Sequence, residues 1–398
     1  MRDGGEVEDS TSTDDERPVR SLARLRKHWL LTSAVALALL TTATAVPIVL
    51  ADSGGGEPPC EEIPASTRAL AKDPAAATRA LDPGDELTLF GAARDLLVHE
   101  NPCGDGAEVL GQVVEAATRA SAHGKPHTLA QARSAYAVVA AFDDRDVPAG
   151  MAPALARMLA EYIVDANRYL SNDDEAYTPA VDATTAAPDD TGWTTYGRFL
   201  APGEAHTDFE HSQPYSSVRA NPEALLAELA KDPEAFAILY DAQRAYLAYY
   251  LERITRTGTD PDYHPEPDKD GAPESADTWV DIDLAHLADR VGTLMNLRAR
   301  YAREGEIPDL TAFDKAVRQH TRGAYRAATE QQSSRPPVGD IAEREVSGPV
   351  RGDLTDGRHQ LFTTLDAWTE ARKVPRERAA ELRQLIDDQY VRALWMSR

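Results

Sequence analysis

Cysteine, lysine and positive charge are all scarce in this chain. Two cysteines occur in 398 residues, Cys60 and Cys103. Their wide separation excludes the C-x-x-C arrangement of a dithiol redox site. With no third thiol to compete, an exported pair is most simply a disulfide. It would close a loop of about 40 residues and contribute on the order of 3 to 4 kcal/mol in the chain-entropy model. Seven lysines stand beside 35 arginines, a bias that resembles proteins of high-GC bacteria. Lys and Arg together number 42 against 66 Asp and Glu, for a net charge of −24. So acidic a chain repels phosphate backbones, which argues against nucleic-acid binding. Basic proteins, cationic peptides and divalent metals suit it electrostatically, and the same charge also keeps a helical surface soluble.

Strand patterns are missing as well. No run of alternating β-branched residues exceeds four or five positions, and Asn-Gly or Asp-Gly hairpin signals between such runs are absent. Nucleophile and phosphate-binding signatures are absent too: there is no G-x-S-x-G, no S-x-x-K with its partners and no G-x-x-x-x-G-K-[ST]. No catalytic residue is therefore assigned.

Long apolar runs are rare, and the one that exists is informative. From Trp29 to Ala51 no side chain is charged. As a helix those 23 residues reach roughly 35 Å, enough to cross a hydrocarbon core of about 30 Å. Arg17, Arg20, Arg24, Arg26 and Lys27 precede the run, and no Lys or Arg follows it before Arg68. That asymmetry holds the N-terminus in the cytoplasm and sends the remainder out. The expected organisation is a cytoplasmic tail at 1–28, a spanning helix at 29–51 and a tether at 52–62 that includes Gly54-Gly55-Gly56. An exported domain follows over 63–398, with a division near 200 that would allow two packed halves.

A cleaved signal is the rival reading, because Ala43-Thr44-Ala45 resembles an A-x-A cleavage site. The protein would then be secreted, beginning at Val46. Against it, the apolar character continues through Ile48, Val49 and Leu50, and the preceding region is long and carries seven acids. Export of the domain follows either way.

Within the exported part the apolar period is helical. Val109, Leu110, Val113, Val114 and Ala117 recur at three and four, as do Met151, Leu155, Met158, Leu159, Tyr162, Ile163, Ala166 and Tyr169. Two more stripes are Leu284, Leu287, Val291, Leu294, Leu297 and Tyr301, and Leu382, Leu385, Ile386, Tyr390, Leu394 and Trp395. Phe236, Leu239, Tyr240, Tyr246, Tyr249 and Tyr250 form an aromatic stripe that reads as core. Asn221-Pro222-Glu223, Asp232-Pro233-Glu234 and Asp82-Pro83 read as helix starts. The class predicted is all-α, with about nine or ten helices after the spanning one. Residues 171–220 read as an ordered aromatic excursion, 257–279 as an acidic, Pro-rich exposed loop, and 331–357 as a weaker break. The pentapeptide LAKDP occurs at 70–74 and 229–233, but its surroundings do not align and carry no repeat.

The best candidate for chemistry is GEAHTDFEHSQPY, residues 203–215. Glu204, His206, Asp208, Glu210 and His211 place five donors in eight positions, and imidazole with carboxylate suits zinc or another first-row metal. The metal ligands expected are His206, Asp208, Glu210 and His211, although their spacing matches no named motif and a bare polar loop would look the same. His123 and His127 flank Gly124 and Pro126, a loop where histidines are ordinarily solvated. DKDG at 268–271 lacks the rest of a calcium loop. The carboxylate pairs Asp143–Asp144 and Asp281–Asp283 are expected by chance in so acidic a chain. His320 and His359 read as helix-surface or capped core residues.

Three functions therefore compete: a non-enzymatic interaction module outside the membrane with a protein partner, a metal-dependent hydrolase or metal-binding protein centred on 204–211, and a small-ligand sensor with a pocket at the 171–220 excursion.

Overall fold

In a computed structural model that describes residues 60–169, 178–182, 193–194, 197–198, 200–211, 218–254, 279–327, 335–350, 354 and 356–396, the chain is mostly helical. The tail at 1–28, the spanning run at 29–51 and most of the tether lie outside the described residues, as does nearly all of 257–279. Among the described residues, no helix is long and apolar enough to cross a membrane. The chain divides into two units, Met1–Glu57 and Pro58–Arg398.

Fourteen α-helices occur among the described residues, more than the nine or ten expected. The first seven are α1 (Ala65–Leu70), α2 (Pro74–Leu81), α3 (Phe90–Leu97), α4 (Gly106–Thr118), α5 (Leu129–Ala141), α6 (Ala152–Glu161) and α7 (Ile163–Tyr169). The other seven are α8 (Pro222–Leu229), α9 (Pro233–Arg253), α10 (Trp279–Glu304), α11 (Leu310–His320), α12 (Val338–Ala342), α13 (Arg358–Arg372) and α14 (Arg376–Met396). The excess has a local cause. Proline punctuates the first stretch into three short helices, and the stripe of 151–169 breaks at Tyr162, whose backbone (φ −108°, ψ 28°) leaves the helical well.

Aspartate and asparagine side chains start several helices. Asp73, Asn221, Asp232 and Asp309 each accept a hydrogen bond from the backbone N–H three residues on, at 2.8–3.0 Å. Asp82 does something else, contrary to the expectation for Asp82-Pro83. It ends α2, and its carboxylate accepts from Gly84 N and from Arg133, so no helix begins at Pro83. The recurring LAKDP is a joint used twice. Leu70 and Leu229 close one helix, an αR alanine follows, and Asp73 or Asp232 caps the next with Pro at its first position. A short sequence recurs because a short structure recurs.

Helix α9 is the centre of the fold. It packs on α6, α7, α10, α11, α12 and α13 and is buried on all sides from Ala235 to Arg253 apart from half-buried Ile238. Its aromatic stripe is core, as expected: Phe236, Leu239, Tyr240, Tyr246, Tyr249 and Tyr250 are all buried. A helix covered all round must also pair its polar residues. Arg244 does so against Asp241 and the Gly323 carbonyl, while its guanidinium lies between the rings of Tyr240 and Tyr325.

The α10 stripe is buried along its length, and α10 lies along α14. Contact there is so close that a Cβ on Gly292 would fall 2.6 Å from the Tyr390 carbonyl oxygen. Trp395 departs from its expected place on the α14 stripe and is 66% exposed. Nine positions beyond Ile386, at about 100° per residue, it points away from the buried face that Leu382, Ile386 and Tyr390 share.

Four short strands interrupt the helices: β1 (Ala180–Asp182), β2 (Trp193–Thr194), β3 (Gly197–Arg198) and β4 (Ala205–Thr207). β1 pairs antiparallel with β4, placing Val181 opposite His206, and β2 pairs with β3. Both β1 and β4 pack on α5. The excursion is thus ordered where it is described. Cys60 and Cys103 are bonded, with Cα atoms 5.0 Å apart, as their isolation in the sequence predicted.

Candidate functional site

The polar residues of 203–211 do not face solvent; they are the means by which this stretch docks on α5, α6 and α7. Two buried histidine–carboxylate groups do the work. The first is centred on His127, which precedes the N-cap of α5. Thr128 and Gln131 form a capping box there, with Thr128 N–H donating to Gln131 Oε1 at 2.9 Å. This fixes the chain entering α5 and aims the His127 ring inward, where it stacks on Tyr162 at 4.5 Å.

Each nitrogen of the His127 ring meets a different carboxylate. Nδ1 lies 2.6 Å from Glu204 Oε1, and Nε2 lies 3.0 Å from Glu161 Oε2. Glu204 Oε1 also accepts the His127 backbone N–H at 3.1 Å. Glu161 is shared further: it accepts from Arg119 Nε and from the Ala120 N–H. Burial disfavours a charged His127 ring, but hydrogen bonds and charges from Glu161 and Glu204 outweigh it and push the pKa up to about 9. Burial likewise works against ionised Glu161, yet His127 and Arg119 hold its pKa below the ordinary glutamate value. With its pKa at about 9 the His127 ring is charged at neutral pH, and its two ring N–H groups donate to Glu204 and Glu161.

The second group follows directly in sequence. His206 Nδ1 is 2.7 Å from Asp165 Oδ1, and the Thr207 N–H donates to Asp165 Oδ2 at 2.9 Å. The Thr207 hydroxyl donates to the Ala132 carbonyl of α5, and Arg168 donates to Asp208 Oδ2 at 3.0 Å. Tyr136 on α5 donates to the His211 carbonyl at 2.8 Å. Burial raises the Asp208 pKa, against the opposing pull of Arg168.

The expected metal ligands are therefore brought to one region, with His206, Asp208 and His211 buried and Glu210 half-buried. Their known partners are protein groups: Asp165 for His206 and Arg168 for Asp208. Among the described residues, no group of three or more His, Cys, Asp or Glu is placed to hold a metal ion. The reading of His123 and His127 as a solvated pair holds for one of them. His123 is exposed beside Asp340, whereas the His127 side chain is 1% exposed. Asp281 and Asp283 serve different partners, Arg378 and the Tyr250 hydroxyl. The DKDG segment and the side chains of Trp193, Tyr196 and Phe199 lie outside the described residues.

Glu161, Asp165, Arg168 and Arg119 were missed by sequence reasoning. Each sits in or beside an ordinary helix, and its partners lie 34 to 42 positions away. The one local signal was the T-x-x-Q capping box after His127.

Chemically the arrangement can position and hold. A general base must reach a substrate within hydrogen-bond distance, and both His127 nitrogens are spent on carboxylates in a buried setting. A hollow of about 430 Å³ lies elsewhere, open to solvent and lined by Thr311, Asp314, Lys315, Arg318 and Gln319 of α11. None of these belongs to the docking groups. No family model matches this chain, and neither a curated protein nor a solved structure matches it.

Proposed function

We propose that the chain is a membrane-anchored, extracytoplasmic helical protein of a bacterial cell envelope, acting as a non-enzymatic interaction module. The observation that carries this reading is the bonded pair Cys60–Cys103, placed nine positions after the uncharged run 29–51 ends. Disulfides persist in oxidising compartments, which agrees with the export that the flanking charges call for. The exported part carries 36 basic and 59 acidic residues, so a basic protein or cationic peptide is the partner its surface suits. A module reading is further supported by the use of His127, Glu161, Glu204, Asp165 and His206 in docking contacts. A metal-dependent reading would have a cation share Asp208 with the Arg168 guanidinium, while the His206–Asp165 hydrogen bond is compatible with either reading.

The test has two parts. Protease added to intact, wall-stripped cells digests the bulk domain and leaves a membrane-bound N-terminal fragment. A mature protein that begins at Val46 and collects in the medium would overturn the anchor. The tagged protein, purified from its own membrane, carries a basic partner that is lost as salt rises from 0.05 to about 0.5 M, when the Debye length contracts from about 14 to about 4 Å. A partner unaffected by salt, or none, would overturn the electrostatic module.

A further inference from the structure

We propose that the joint at Cys60 and Cys103 is a tension clamp, which passes load from the membrane tether into α4 and keeps α1, α2 and α3 out of the force path. The inference rests on the anchor reading above, because only a tether makes Cys60 the point where force enters.

Connectivity is the first argument. With the disulfide closed, the shortest covalent route from the tether runs from Cys60 across to Cys103 and on into α4. The 42 residues that lie between the cysteines, 61–102, hang from that route as a side loop. They include the three short helices, which have little of their own to resist peeling: α1, α2 and α3 are six, eight and eight residues long. Short helices draw their stability from packing, so a pull applied at their free end would strip them in turn. Helix α4 is a better point of entry. It is 13 residues long, packs on α1, α2, α5 and α6, and buries eight of its residues.

The geometry of the joint is the second argument. Glu61 and Pro102 form a parallel bridge, with the Glu61 N–H donating to the Asn101 carbonyl at 2.7 Å and the Cys103 N–H donating to the Glu61 carbonyl at 2.9 Å. The tether pulls one strand from its N-terminal end, and the domain holds the other from its C-terminal end. With the disulfide closed, both hydrogen bonds lie on the loop side of the cysteines and carry no load. Once it is reduced, these pulls slide the parallel strands past each other, and two hydrogen bonds are all that the bridge sets against them. Three further contacts close over the joint. Arg68 of α1 pairs with Asp105 at 2.8 Å, and His99 pairs with Glu61 at 3.0 Å. Gly106, the first residue of α4, lies so close that an added Cβ would sit 2.9 Å from both Ile63 and Pro102. Bond and bridge meet at Cys60 and Glu61, near the end of the tether, with Ile63 packed on Gly106 just beyond.

The experiment holds the full chain in a detergent micelle by tags at its two termini and pulls it in an optical trap, where rupture reports the unfolding rate under load. In the oxidised chain the domain resists until its main unfolding event. With reductant added to the folded chain, an earlier event appears at lower force and lengthens the chain by about 150 Å, the extended reach of 42 residues. The Cys60→Ser, Cys103→Ser double variant gives the same early event; should it fail to fold, the reduced wild type carries the measurement. An early event of that length in the oxidised chain would overturn the clamp. So would a reduced chain that opens in one step at the oxidised force. Failure of the anchor reading shows separately, as cleaved protein in the medium, and leaves the trap record unchanged.

Discussion

Raising the pH should weaken this fold through one residue, His127. Its ring is buried between Glu161 and Glu204, with Arg119 behind Glu161 and Tyr162 stacked on its face. The folded pKa is about 9, against 6.5 for an ordinary histidine. A proton held more tightly in the folded state contributes stability that is complete below about pH 6.5 and is lost as pH rises through about 9. At 1.36 kcal/mol per pKa unit the contribution is about 3 kcal/mol, a large part of the 5 to 15 kcal/mol that holds a typical domain together. The assay is urea unfolding followed by circular dichroism at pH 6, 7, 8, 9 and 10, with the disulfide intact. Midpoints should fall steadily between pH 7 and 10. The His127→Gln variant should be less stable at pH 6 by about 3 kcal/mol or more, because a neutral amide replaces the charged ring buried between Glu161 and Glu204. It should also lose most of the slope above pH 7. A wild-type midpoint that is flat or rising over that range would refute the argument, as would a His127→Gln slope equal to wild type.

Three other perturbations have defined outcomes. Reducing Cys60–Cys103, 43 positions apart, should cost about 4 kcal/mol by the loop-entropy estimate, read as a drop in the urea midpoint with little change in helical signal. Gly292→Ala sets two effects against each other: helix propensity favours alanine by about 1 kcal/mol, but a Cβ there meets Tyr390 and Ala393 at 2.6 and 2.7 Å. Overpacking should win and the variant should unfold at lower temperature by thermal circular dichroism, whereas a stabilised variant would mean that α10 and α14 separate easily. Asp165→Ala removes the acceptor for His206 and for the Thr207 N–H, so the excursion should loosen. Limited proteolysis should then cut within 178–211 faster than in wild type, with hydrogen exchange rising at Ala205–Thr207.

What the sequence by itself determined is the set of properties that neighbours along the chain can enforce. Helical class was legible because Val109 to Ala117 and Leu284 to Tyr301 repeat at the period of a helix, and these stripes are the buried faces. Starts at Asn221 and Asp232 were legible because a cap and its donor lie three residues apart. The disulfide was legible by elimination, since each cysteine had one possible partner. Where two local readings competed, the sequence could not choose: Asp82-Pro83 has the letters of a helix start, and only the contact with Arg133, 51 positions on, shows why Asp82 is engaged elsewhere. The nature of 203–211 was beyond reach for the same reason. Histidines and acids in a short polar stretch look alike whether they bind a metal, face water or dock on helices. Partners decide among these, and the partners Asp165, Arg168, Glu161 and His127 come from as far as 77 positions away, on elements that meet only when the helices pack. Local sequence sets the backbone's preferences through short-range sterics and hydrogen bonds. Burial, and with it the charge on His127 and the roles of the residues around it, is a property of tertiary contact alone.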